Sequence, residues 1–450
     1  MKTICFFPNE PLGRIKPLHG VNNAARLTDY GELLPDFCRL QPPFVRLHDT
    51  GGPYGGSRYV DVANIFPDFD ADENDPASYD FLLTDCYIRP LVEAGMEVFY
   101  RLGATIEHEP KKYRTVPPKD LAKWARVCEH IVRHYNDGWA DGFHFNIKYW
   151  EIWNEPDGLN PACEPFGCPN WQGTAQDYYE LYALTAKEIK TKHPDVLVGG
   201  YSSCYILGSF HDGGWFPGDV SFFTGFLAYI KQSGAPLDFF SWHGYLGRQY
   251  IDKVAIESDF VDQMLTEYGF GSALRFDTEW NCNIHESAGE NRRIENYVNY
   301  RNEKGASHCA AALFKMQRCK IDAAMYYDAQ LWCAYGALFE VPSLKPTKAW
   351  HALKAFGELY ALGTWLKSTD AEHIYTCAAG DGERALLCLA NVSDSAETIA
   401  LDSPLVSTAQ VRIFVLDKTR DFAIIYEGTL PEQLELPPYS VVKIEPAANT

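Results

Sequence analysis

Two kinds of pattern alternate between about residue 17 and residue 360. Short apolar runs at His19–Asn22, Phe44–His48, Glu97–Leu102, Lys148–Trp153, Val196–Gly200, Asp238–His243, Leu274–Glu279 and Ala323–Asp328 have the length and β-branched or aromatic content of buried strands. Between them lie stretches with helical periodicity. Tyr79–Ala94 follows Asp75-Pro76, a helix start signal, and Pro118–Tyr135 and Ala175–His193 read as amphipathic helices, the second ended by Pro194. Phe222–Ser233 and Asp259–Tyr268 are also helix-like. Strand and helix alternating eight times over roughly 340 residues predict an α/β fold, a (β/α)8 TIM barrel, rather than an open sheet.

The pattern changes near Gly363. Helical periodicity gives way to short strands at His373–Ala378, Ala385–Ala390, Val411–Leu416, Phe422–Tyr426 and Val441–Ile444, separated by turn residues. This predicts a small C-terminal antiparallel β-sandwich. The expected division is a catalytic barrel over 17–362 and a sandwich over 363–450, with the N-terminal segment 1–16 joining the sandwich through its strand-like start, Lys2–Pro8.

Composition narrows the function classes. The 450 residues are 46% hydrophobic and 14% aromatic, which suits a large buried core and is compatible with rings that stack on sugars. A net charge of -20 without a basic run argues against nucleic acid and disfavours anionic polymers. No apolar run reaches the ~18 residues a membrane helix needs. The N-terminal apolar run is too short for a signal peptide, and thirteen cysteines without framework spacing point to reduced thiols, so a cytoplasmic protein is expected. A homo-oligomer is left open.

Chemistry concentrates at the strand ends. In a barrel the strand C-termini face the active site. Here they carry Asn22 and Asn23, then Arg46, His48 and Asp49, then Asn154 and Glu155, His243 and Tyr245, Glu279, and finally Tyr327 and Asp328. Such a polar ring is costly to bury without a ligand. Glutamates on the fourth and seventh strands face each other across the mouth. Glycoside cleavage needs such a pair, one protonated to assist the departing oxygen and one ionised to attack the anomeric carbon.

Trp153-Asn154-Glu155-Pro156 resembles the acid/base signature of clan A glycoside hydrolases. With Glu151, Ile152 and Asp157 around it, the segment is similar to glycoside hydrolase family 39, which contains β-xylosidases and α-L-iduronidases. Val45-Arg46-Leu47-His48, Asp238–Tyr245, Asp277-Thr278-Glu279-Trp280-Asn281 and Lys345–Trp350 agree in order, so the resemblance covers about residues 17–365. It implies that Glu155 is the acid/base and Glu279 the nucleophile. It implies that Asn154 donates to the sugar 2-hydroxyl, that His243 and Tyr245 orient nucleophile or sugar, and that Arg46 and His48 lie near the nucleophile. Trp280, Tyr327 and Trp332 complete the expected sugar contacts.

Other constellations read as structural. Asp68–Asp75 has calcium-loop spacing but lacks the glycine and terminal glutamate, so it reads as a solvated loop. His130 and His134 are four apart on a helix, without a third metal ligand, and read as a solvated helix face. Glu107 and Glu109 read as loop or subsite residues, and Cys163 and Cys168 as loop thiols. The loop Asp157–Gly173, with Phe166 and Trp171, is the expected specificity loop, joined by Trp215–Pro217 and Trp332-Cys333.

The expectation is a retaining, exo-acting glycoside hydrolase that acts on an oligosaccharide or glycoside and needs no metal or cofactor. β-D-xylosidase is the first reading of the sugar. Asp157 matches the family's iduronidases, whereas Thr278-Glu279-Trp280-Asn281 is closer to its xylosidases, so iduronides and arabinose-containing glycans stay open. A non-catalytic glycan-binding barrel is the alternative class.

Overall fold

A computed structural model describes residues 1–27, 32–51, 59–106, 112–158, 170–204, 206, 210–211, 214–215, 220–247, 250–283, 290–331, 333 and 335–447. Eight parallel strands close into a barrel: Gly20–Asn22, Phe44–Leu47, Glu97–Leu102, Tyr149–Ile152, Leu197–Ser203, Phe239–Gly247, Leu274–Asn283 and Ala323–Tyr326. Each pairs with its neighbours in chain order, and the eighth returns to the first through Met325 and Tyr326 beside Gly20 and Val21.

Side chains alternate between the barrel interior and the helix layer, as the period of a strand requires. At the N-terminal end the inward positions are apolar. Phe44, Phe99, Phe239, Phe276, Ala323 and Met325 form one buried cluster that plugs the barrel floor. Gly199 is part of that packing, since a Cβ there would collide with the carbonyl and ring of Phe239. Further along the same strands the inward positions turn polar.

The helices are set by local signals. Asp120 caps Leu121–Asp137 by accepting from the Lys123 N–H, and Gly138 ends that helix in the left-handed region at φ 77°. Thr174 and Asp177 form a reciprocal capping box on Ala175–Lys192. Thr347 caps Lys348–Leu362, which Gly363 terminates. Among the described residues no helix is long and apolar enough to cross a membrane.

Glu303–Arg318 is a helix that was not assigned from the sequence. Nearly all of Gly305–Phe314 is buried, because the helix packs on the barrel and also beneath strands Ile374–Gly380, Ala385–Asn391 and Ser440–Pro446.

The C-terminal region is a nine-stranded arrangement that includes the first strand of the chain, Lys2–Arg14. Phe6–Arg14 pairs antiparallel with Thr364–Ser368, and Lys2–Cys5 pairs parallel with Ile399–Asp402. The pairing is otherwise antiparallel, so the N-terminal strand supplies the one parallel ladder and links two layers across a core of Ile4, Phe6, Leu389, Ile413 and Val442. Thr364–Ser368, Glu397–Asp402 and Gln433–Leu436 are strands that sequence pattern alone did not separate from turns.

One structural expectation needs correction, whereas Asp68–Asp75 is the solvated loop that was expected. His130 and His134 are not on a solvated face; they are 3% and 1% exposed. His134 stacks on Phe81 and bonds Asp85 and the Trp139 carbonyl, while His130 bonds the Arg126 carbonyl. Asp68–Asp75 is an exposed loop of Asp-stabilised turns, tied to Lys119 and Arg126. Among the described residues no two cysteines form a disulfide with each other, and Cys163 and Cys168 lie outside the described residues.

Candidate active site

Arg46 is the hub of the barrel mouth. Phe44 on the same strand points into the floor, so two residues on Arg46 points into the mouth, where it is fully buried. All five of its N–H donors are engaged. Nε donates to Glu151 at 2.7 Å, Nη1 to Asn22 at 2.9 Å and to Glu279 at 2.8 Å, and Nη2 to Asn154 at 2.7 Å and to Ser202 at 3.0 Å. Burial by itself opposes the guanidinium charge, but Glu151 and Glu279 more than offset it and raise its proton affinity above the ordinary value.

Glu279 reaches the mouth through a local irregularity. Phe276 points inward, and a register shift between Asp277 and Glu279 against the sixth strand turns Glu279 inward as well. Its Oε1 accepts from Arg46, and its Oε2 accepts from the Tyr245 hydroxyl at 2.8 Å. His48 Nε2 lies 3.9 Å from Oε1 and 3.2 Å from Asp49. Burial pushes the Glu279 carboxyl above its usual range, as does Glu155, against the pull of His243, Arg46 and Tyr245. Of these neighbours only Arg46 is cationic throughout the neutral range, since burial lowers His243 to about 4.

Glu155 follows the fourth strand on a backbone bent by two left-handed residues, Trp153 at φ 74° and Glu155 itself at φ 48°. The bend costs energy in non-glycine residues and clusters at functional sites. It carries the carboxyl to His243, whose Nδ1 is 2.7 Å from Oε1, while Asn170 Nδ2 donates to Oε2 at 3.0 Å. His243 Nδ1 is also 3.5 Å from Glu279 Oε2. One carboxylate oxygen of each glutamate and a ring nitrogen of His243 lie within 4.8 Å of one another.

Asn154 Oδ1 is held by Arg46, which leaves its Nδ2 buried with no protein partner among the described residues. An orphaned buried donor costs about 1–3 kcal/mol and is satisfied when a ligand hydroxyl arrives. His243 Nε2 is likewise buried without a hydrogen-bond partner among the described residues.

The structure therefore brings together Arg46, His48, Asn154, Glu155, His243, Tyr245 and Glu279. Tyr327 joins them at the rim, donating to Asp49 at 3.2 Å and meeting Tyr335 edge-on. Trp280 does not. It is 1% exposed, on the outer face of its strand in the barrel–helix core, edge-on to Tyr326, because the irregularity that turns Glu279 inward turns Trp280 outward. Trp171 is also buried, packed against Trp153 and Tyr178 rather than offered to a ligand. Trp332, Phe166, Glu107, Glu109, Phe216 and Pro217 lie outside the described residues, as does the Trp215 side chain.

Sequence reasoning did not single out Glu151, Ser202 or Asn170. Strand parity contained the signal for Glu151, which is two residues from inward-facing Tyr149. Asn170 had none, since it comes from a distant part of the loop. Two carboxylates and an imidazole are also ligand types for a divalent cation. Here Glu279 already accepts from a guanidinium and a phenol, and that fixed positive charge opposes a second one.

The family model described as Glycosyl hydrolases family 39 matches residues 60–268. A beta-xylosidase of Geobacillus stearothermophilus is 26% identical over 221 residues, 43% of this chain and 37% of that protein. A beta-xylosidase of Caldicellulosiruptor saccharolyticus is 28% identical over 178 residues, 37% of this chain and 31% of that protein. The matches thus span about a third of the length of these curated relatives. A glucosidase from Croceicoccus marinus superposes with a TM-score of 0.76 at 23% identity, with 100% of both chains covered. A monomeric beta-xylosidase from Caulobacter crescentus CB15 gives 0.66 at 17% identity, covering 99% of each chain. At such identities these two structures speak for the fold alone.

Proposed function

We propose that this chain is a member of glycoside hydrolase family 39 and a retaining, exo-acting O-glycosidase of β-D-xylosidase type. Glu279 attacks the anomeric carbon while Glu155 gives its proton to the departing oxygen, which leaves a glycosyl ester on Glu279. Glu155, now ionised, takes a proton from water as that water attacks the same carbon and frees Glu279.

The observation that carries the reading is the separation of the two carboxylates. Oxygens within 4.8 Å suit a nucleophile and an acid on opposite sides of one bond. An inverting pair stands about 6.5–9.5 Å apart to admit a water. Arg46 and Tyr245 supply charge stabilisation for an ionised Glu279, and the orphaned Asn154 Nδ2 suits a hydroxyl whose contact strengthens in the transition state. Exo action is supported by the length of chain between the fourth strand, which ends at Ile152, and its helix, which begins at Ala175.

The names of the two curated relatives favour xylosides. An iduronide would need a cation for its carboxylate, and the five N–H groups of Arg46 are all engaged. Asp157, the iduronidase-like residue, accepts from Ser203 and the Cys204 N–H and so braces the fifth strand.

A panel of nitrophenyl glycosides tests the reading. Wild type turns over the β-xyloside fastest, and Glu155→Ala and Glu279→Ala lose activity. Azide restores Glu279→Gly with inverted product and Glu155→Ala with retained product. The opposite stereochemistry exchanges the roles, and tight oligosaccharide binding without turnover of any glycoside supports a binding protein instead.

A further inference from the structure

The side chain of Glu155 is fixed from two directions. His243 approaches Oε1 from the sixth strand, and Asn170 approaches Oε2 from the far end of the loop that follows the fourth strand. Asn170 is in turn held by Lys112, from the loop after the third strand, whose Nζ donates to Asn170 Oδ1 at 2.8 Å. Lys112 is 7% exposed. Around this contact the two loops are clasped: Gln172 Nε2 donates to the Lys112 carbonyl and the Thr115 hydroxyl, the Gln172 N–H donates to the Thr115 carbonyl, and Trp153 Nε1 donates to the Asn170 carbonyl.

An ammonium can only donate, so the Asn170 oxygen must face Lys112 and its NH2 must face Glu155. The amide nitrogen cannot accept, so Glu155 Oε2 must accept. The acidic proton of Glu155 then belongs on Oε1, the oxygen on the His243 and Glu279 side. We propose that Asn170, locked by Lys112, is a positioning residue that assigns the proton of the acid/base to Oε1 and holds the carboxyl's proton affinity down. This inference rests on the glycosidase reading of Glu155.

The arrangement serves both halves of a double displacement. In the first, a proton confined to Oε1 is presented beside the bond that Glu279 attacks. In the second, a donor on Oε2 favours the ionised carboxylate that must accept a proton from water. The other charged or titratable groups facing Glu155 are His243 and Tyr245 on the sixth strand, Glu279 on the seventh and Asp157 on its own loop. Of these groups, His243 lies on the Oε1 side, 2.7 Å from that oxygen.

The test is the pH dependence of kcat/KM on an aryl β-xyloside with a poor leaving group, whose basic limb reports the free acid/base. Asn170→Ala removes a donor to the ionised form, so the basic limb moves up by about one pH unit. At the wild-type optimum the rate on the poor leaving group falls about tenfold, whereas the first step with a dinitrophenyl leaving group, which needs no proton, changes by less than about twofold. Lys112→Met moves the limb in the same direction by a smaller amount, and Lys112→Arg, which keeps a donor, holds it in place. Both positions lie in loops, so melting temperatures stay near wild type. A limb that stays fixed in both Asn170→Ala and Lys112→Met, or a loss equal for both leaving groups, overturns the inference while leaving the glycosidase reading intact. A wild-type enzyme inactive on every glycoside overturns the reading itself.

Discussion

The two ends of the barrel are made from the same strands by opposite rules. The floor is a packed aromatic plug, with Phe44, Phe99, Phe239 and Phe276 filling inward positions. Two to four residues further along, the same inward faces carry Arg46, Arg101, His243 and Glu279. The floor satisfies packing and nothing else. The mouth holds buried charges, an orphaned amide on Asn154 and left-handed non-glycine residues at Asn23, Asp49, Trp153, Glu155 and Ser202. Each such backbone conformation costs about 1–3 kcal/mol. Strain and unsatisfied groups collect at one end because a ligand can relieve them there, and the apolar end stabilises the fold that holds them in place.

The sharpest way to break this contrast is to alter each end and read both stability and activity. Glu279→Gln lowers kcat on an aryl glycoside by at least about 10⁴-fold. It leaves the urea midpoint unchanged or higher, because a buried carboxyl repelled by Glu155 is gone. Arg46→Met strands Glu151 and Glu279 without their shared cation and costs about 3–5 kcal/mol in urea unfolding, with activity lost as well. Phe99→Ala at the floor also costs about 3–5 kcal/mol, through an unfilled cavity, yet kcat measured well below the melting temperature stays within about threefold.

Asn154→Ala sharpens the contrast from the other side. It removes a donor without a partner, so kcat/KM falls about 10²-fold while stability drops by less than about 1 kcal/mol.

The smallest effect is in pH dependence. His19 sits at the closed end, buried, and burial with the nearby Lys354 lowers it to about 3. Its folded pKa is below its unfolded value. The unfolded chain therefore takes up the proton first, and stability is full above pH ~6.5 and falls toward pH ~3, by at most about 1.4 kcal/mol per pH unit. His19→Gln flattens that slope in chemical unfolding and leaves the pH–rate profile where it was. A shifted rate profile would mean the two ends are coupled.

Legibility in the sequence followed the same division. The (β/α)8 fold and the strand positions were readable because apolar runs and helix caps are local. Glu155 and Glu279 were readable as strand-tip carboxylates, and Arg46 as a tip residue. Its role as hub was not, since its partners come from the first, fourth, fifth and seventh strands. Glu303–Arg318 was not assigned from the sequence, and its burial between the barrel and strands Ile374–Gly380, Ala385–Asn391 and Ser440–Pro446 rests on contacts between residues far apart in the chain. His130 and His134 looked like a wet helix face because histidine alone does not show which side of a helix meets the barrel.

The sequence by itself determined the alternation of strands and helices, the switch to short strands near Gly363 and the chemistry available at the strand tips. All of these depend on periodicity and propensity over a few neighbouring residues. Tertiary structure decided which tips meet. The register shift after Asp277 sent Glu279 inward and Trp280 outward, and the clasp between two loops brought Lys112 to Asn170 and Asn170 to Glu155. Those outcomes depend on strand stagger and barrel closure, which are set by contacts between residues far apart in the chain and leave no local trace in its pattern.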